Sequence, residues 1–179
     1  MIYSLNFLID EWKMRAGLEP ARIDSTITRH DALDIDAYIE RMVNDWYEQL
    51  LEDGDLKYLD PEDITDLVTV STPVNGVSTM ILPAGVRHLV EIKDSNWARA
   101  ARIVFPDSHE ARRQESVFSR GGTESPVAVI YNNSEVRLYS FKPGMKPLPD
   151  RVVAIRHVPG EFRLSPLALS QIPPAQFNF

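Results

Sequence analysis

The side chains that could serve as metal ligands, bases or nucleophiles are few, and their spacing suits none of those tasks. Of the four histidines, His30, His88, His109 and His157, no two stand on one helical face with a glutamate between them. That is the arrangement by which a helix offers two imidazoles to zinc and a base to its water. His30 beside Asp31, Asp34 and Asp36 is the nearest approach to a ligand cluster. Carboxylates there read as the opening turn of a helix, where they complement the positive end of its dipole. Asp53, Asp55, Asp60, Glu62 and Asp63 have the composition of a calcium loop, but Gly54 falls between the first two acids instead of after the third, so they read as a solvated turn.

Nucleophilic chemistry fares no better. There is no cysteine, and Ser108-His109 after Asp107 supplies residue types without the Gly-x-Ser-x-Gly elbow that would expose a serine. Gly121-Gly122 has the flexibility to bring backbone amides near an anion, yet no Walker lysine or dinucleotide fingerprint accompanies it, and a loop is the simpler reading. Arg112-Arg113 with Arg120 is the densest basic spot and reads as surface charge before it reads as a phosphate site. Asn132-Asn133-Ser134 has the form of a glycosylation acceptor, which matters only for a secreted chain. The sequence therefore predicts a protein that is not an enzyme and carries no cofactor or metal.

The elements that would position these residues change character along the chain. Leu5, Leu8, Ile9 and Trp12 recur at helical spacing after Ser4, a capping residue, and before Gly17, a left-handed stop. Past a loop with Pro20, Thr28 or Asp31 caps a longer helix whose apolar stripe is Ile35, Ile39, Met42, Val43, Trp46 and Leu50, closed by Gly54. Its other face, with Asp36, Glu40, Arg41, Asp45 and Glu48, is charged. From about Asp66, β-branched residues alternate with polar ones. Leu67 to Val70 and Val77 to Ile81 flank a Pro73 to Gly76 turn, followed by strands at Val86 to Ile92 and Ala100 to Phe105 and a short helix within Asp107 to Phe118. Val127 to Tyr131 and Val136 to Phe141 flank a hairpin signal at Asn132 to Glu135, and Val152 to Val158 gives a closing strand. With no crossover helix of adequate length, the sheet is expected to be antiparallel.

The expected fold class is α+β: N-terminal amphipathic helices over residues 1–65, packed with an antiparallel β-rich part with one short helix over 66–160. An extended, Pro-rich apolar tail follows over 161–179. Pro166, Pro173 and Pro174 forbid a regular element through it, while Leu167, Leu169, Ile172, Phe177 and Phe179 make it too apolar for a solvated end. Such a tail packs on its own domain or inserts into a partner, and these five apolar residues are the candidate interface.

Charge is distributed unevenly. Residues 1–66 hold 17 acidic and 6 basic side chains, and the remainder 9 and 13. An acidic first part repels phosphates, and the small surplus beyond it defines no basic footprint, so specific nucleic-acid binding is not expected. The first residues lack a secretory layout and no window approaches a bilayer span, so a cytoplasmic protein with no membrane contact, or a virion component, is expected.

Acidic helices first, then Ile81-Leu82-Pro83-Ala84-Gly85-Val86-Arg87-His88-Leu89-Val90-Glu91-Ile92, then Val136-Arg137-Leu138-Tyr139-Ser140-Phe141 and a strand from Val152 to Val158 is an order with a counterpart. Over residues 1–160 it resembles the head-to-tail connector, or adaptor, proteins of tailed phages and prophages. The resemblance implies a non-enzymatic structural protein that forms a ring by self-association. Its helices would line that ring, and its β-rich part and terminus would engage a portal-like or tail protein. The alternative from composition alone is a soluble bacterial binding or regulatory protein whose partner the sequence does not name.

Overall fold

The computed structural model describes residues 1–17, 35–132, 134–142 and 144–172. His30, Asp31, Asp34 and Thr28, read above as a helix start, lie outside the described residues, as do Phe177 and Phe179 of the tail. In chain order the elements are β1 (Ile2–Tyr3), α1 (Leu5–Arg15), α2 (Ile35–Asp53), β2 (Glu62–Asp63), β3 (Thr69–Val70), β4 (Ser78–Ile81) and β5 (Val86–Asp94). There follow β6 (Arg102–Val104), α3 (His109–Glu115), β7 (Val127–Asn132), β8 (Glu135–Leu138), β9 (Pro149–Arg156) and β10 (Phe162–Arg163). This is an α+β fold. Among the described residues no helix is long and apolar enough to cross a membrane.

The chain divides into two compact units: Pro61–Arg156, and a unit built from the residues on either side, Met1–Asp60 and those from His157 on. In the latter, α1 starts as its sequence dictates, with the Ser4 hydroxyl accepting from the Phe7 N–H at 3.2 Å. It buries Leu8, Ile9 and Trp12. Helix α2 lies against it, with the Trp12 and Trp46 rings edge to face at 6.4 Å. The buried stripe of α2 is Ile39, Val43, Tyr47, Leu50 and Leu51. Met42 and Trp46, expected at its centre, are only half-buried, because Tyr47 and Leu51 continue the i, i+4 row of Ile39 and Val43 and rotate the buried face toward themselves. Gly54 closes the helix by donating to the Leu50 carbonyl at 3.0 Å. A Cβ there would lie 2.2 Å from that oxygen, so the stop is set by close approach, not by a left-handed backbone.

Residues 161–172, expected as an extended tail, return to this unit. Strand β10 pairs antiparallel with β1, Tyr3 opposite Phe162, and Leu164 bridges to Leu59. The Ser165 hydroxyl donates to the Lys57 carbonyl at 2.7 Å, and Ala168–Gln171 form one 3-10 turn that fits between Pro166 and Pro173.

The Pro61–Arg156 unit holds two sheets, of strand order β2-β9-β5 and β3-β4-β8-β7-β6. Their inward side chains share one core, including Ile92, Val152 and Ala154 from the first sheet and Met80, Ala128, Val136 and Leu138 from the second. The β3-β4 hairpin turns through Asn75 (φ 52°) and Gly76 (φ 78°), the two positive values a two-residue turn of matching twist requires. Alternation along β7 sends Ala128 into this core and Val127 and Val129 to the other face, where a second cluster forms with Val104, Tyr139 and Ala111 of α3.

One strand departs from the expected antiparallel pattern: β6 runs parallel to β7, Arg102 opposite Val127 and Val104 opposite Val129. The seven-residue α3 is short for a crossover helix. It serves as one because the loops on both sides of it lengthen the connection.

Candidate arginine cleft

Among the described residues, the histidines and acidic residues singled out in the sequence form no shared ligand group. His157 Nδ1 stands 3.3 Å from a Glu48 carboxylate oxygen and its ring is edge-on to Tyr47, while His109 is exposed at the start of α3. Among the described residues no three His, Asp or Glu side chains form a group that could hold a metal. Asp55 caps the turn Leu56–Tyr58 and pairs with Lys57 at 2.8 Å, and those bonds hold its carboxyl below the usual range. Asp63 accepts from both the hydroxyl and the N–H of Thr65, which likewise lowers it. The Ser108 hydroxyl accepts from Ala111 N–H at 3.1 Å and donates to the Phe105 carbonyl at 2.7 Å, so it is occupied as the cap of α3.

Basic residues converge instead. The β6-α3-β7 crossover encloses a cleft of about 600 Å³ lined by Arg99, Arg102, Arg113 and Arg120, with Glu110 as the one carboxylate of the lining. Each arginine is delivered by a different piece of backbone. Arg99 and Arg102 lead into and begin β6, Arg113 projects from α3, and Arg120 comes from the loop that returns to β7. Arg99 donates from Nε to the Glu124 carbonyl at 2.8 Å and from Nη2 to the Ser125 hydroxyl at 2.5 Å. Arg120 donates from Nε to the Gln114 carbonyl at 2.7 Å and from Nη1 to the Asn75 carbonyl. These acceptors are neutral, so they fix the guanidinium planes and cancel none of their charge. Arg102 pairs with Glu110 at 2.8 Å.

The loop beneath is tightly built. A Cβ on Gly121 would lie 2.0 Å from the Ser125 carbonyl oxygen, and the Gly121 N–H donates to Oε1 of buried Gln114 at 3.3 Å. The Arg120 guanidinium lies 5.6 Å from the centre of the Tyr139 ring. The Tyr139 hydroxyl is 3.2 Å from that of Tyr131. Burial first, and the Tyr131 hydroxyl second, push the Tyr139 phenol up to about 12.

Sequence reading found Arg112-Arg113 with Arg120, and Gly121-Gly122, as separate features. It missed Arg99 and Arg102, because only the parallel pairing of β6 with β7 brings that segment alongside the loop. Arg112, adjacent to Arg113, does not line the cleft.

The same crossover carries exposed apolar side chains, among them the most exposed of the described large hydrophobics. Phe118 is fully exposed, Phe105 68% exposed and Val117 65% exposed. Of the tail residues offered as an interface, Leu167 is 59% exposed and Leu169 half-buried. Ile172 is buried, as residues 161–172 pack on their own unit. No protein-family model and no curated protein matches this chain.

Proposed function

We propose that the protein is a non-enzymatic assembly component that associates with copies of itself, in the manner of a head-to-tail connector of tailed phages or prophages. The observation that carries this reading is the fully exposed Phe118, with Val117 and Phe105, on a crossover that also bears exposed Arg112. Large apolar side chains left in water beside charge are characteristic of protein contact surfaces.

An acidic surface lies elsewhere in the chain. The unit containing α2 has 15 acidic and 7 basic side chains, against 11 and 12 in the unit Pro61–Arg156. Glu40, Asp45, Glu52 and Asp53 of α2 are exposed. A contact between the acidic face and the crossover bearing Phe118 and Arg112 would be heterologous, and heterologous contacts build rings or filaments rather than closed pairs. Acidic helices on the inner wall of such a ring would let DNA slide past without sticking. The expected partners beyond the protein itself are a portal-like and a tail protein.

Sedimentation velocity over a concentration series tests the reading. Higher-order species are expected that shrink at high salt and are lost on Phe118→Ser. A monomer at every concentration and salt would move the weight to a soluble binding or regulatory protein. In the native source, a fixed copy number per DNA-containing particle is expected by quantitative mass spectrometry.

A further inference from the structure

From the arginine cleft we infer a second property, independent of ring assembly: it is a binding site for a small ligand carrying two linked phosphate groups. The cleft has the volume of a small-molecule site, about 600 Å³. Guanidinium groups presented from β6, α3 and the following loop surround it, and one carboxylate answers them. Gathering four like charges at one cleft is unfavourable in itself, and a bound anion offsets it.

The way they are held adds to the argument. Arg99 and Arg120 are oriented by carbonyl and hydroxyl oxygens, so their direction is set before any ligand arrives and their full charge remains available. Forked guanidinium donors match phosphate oxygens, and preorganised ones lose less freedom on binding. Arg113 has no carboxylate partner among the described residues and stands exposed at the rim, where it can close over the ligand. Gly121 is required beneath, since any side chain there would collide with the Ser125 carbonyl.

A diphosphate is preferred over a single phosphate by charge, because four guanidinium groups less one carboxylate leave a surplus of three. It is preferred over a nucleic-acid backbone because the four arginines line one cleft of about 600 Å³, where a strand-tracking surface would spread its cations along a groove.

Inorganic pyrophosphate is the probe, titrated calorimetrically into the full chain. Saturable one-to-one binding is expected, weakened at least about tenfold by Arg113→Glu and less than about twofold by Arg112→Glu. The two residues are adjacent and equally charged, and only Arg113 lines the cleft, so a diffuse counterion effect would move both variants alike. Equal losses, or no saturation up to about 10 mM, would overturn the inference. So would tight binding of a short DNA duplex with none of pyrophosphate, which would transfer the cleft to nucleic acid. Pyrophosphate bound by a monomer, or a ring that ignores it, separates this inference from the assembly reading.

Discussion

The Tyr47 hydroxyl, on the buried face of α2, accepts the backbone N–H of Arg163 at 3.1 Å from a segment 116 positions away in the chain. The same ring packs on Phe162 at 5.0 Å. One residue of the helix thus holds both the backbone and the side chains of the segment that returns after the β-rich unit, and burial pushes its phenol up from the ordinary value. Tyr47→Phe should cost about 1–2 kcal/mol by urea denaturation, because it strands a partly buried N–H while keeping the ring. An unchanged midpoint would mean that water replaces the hydroxyl.

The rotated face of α2 makes a second prediction. Leu51→Ala should cost about 2–5 kcal/mol, since Leu51 is wholly buried. Half-buried Trp46 keeps part of its ring in solvent, so Trp46→Ala should cost less than Leu51→Ala in the same denaturation experiment. The reverse order would restore the stripe read from sequence.

Residues 161–172 divide by burial into structural and available positions. Ile172→Asp should lower the melting temperature sharply, as it places an unpaired charge in a buried site. Leu167→Asp should leave the unfolding free energy within about 0.5 kcal/mol of the parent, the usual range for an exposed substitution. Deleting residues 165–179 removes buried Ala168 and Ile172 and should destabilise the chain even without a partner.

Alkaline pH should weaken the fold through Tyr139. The folded state holds its phenolic proton more tightly, up to about 12 against an ordinary 10.0. Its contribution is therefore complete below pH 10.0 and is lost as pH rises toward 12. Denaturation midpoints measured across that window should fall, and less steeply in Tyr139→Phe. A residual slope is expected from Tyr47, whose phenol is raised in the same sense.

Gly121 and Gly122 should respond differently to alanine. Gly121→Ala drives a Cβ into the Ser125 carbonyl and should cost about 1–3 kcal/mol and distort the cleft. Around Gly122 there is open space, so Gly122→Ala should cost only the strain of its positive φ, about 1 kcal/mol. Pyrophosphate titration of the two variants should show the larger loss at Gly121.

What the sequence determined by itself lay within a few residues of each decision. Ser4 caps α1, Ser108 caps α3, and Asn75-Gly76 turns the β3-β4 hairpin, because each hydrogen bond or positive φ involves neighbours in the chain. The alternation of β-branched residues located β4, β5, β7, β8 and β9, and helices with sheets made the α+β class legible.

Only tertiary structure decided the rest. Which flank of α2 is buried depended on Tyr47 meeting Phe162 and Arg163, and no local pattern carries that meeting. The direction of β6 was set by pairing with β7 beyond a crossover that sequence counted as too short. The return of residues 161–172 was fixed by pairing with β1 and by the bond to Lys57, both made with distant segments. The arginine cleft has the same origin: Arg99 and Arg102 join Arg113 and Arg120 because a parallel strand pair aligns two distant segments. Local hydrogen bonding writes itself into adjacent residues, whereas long-range pairing is chosen by the whole core.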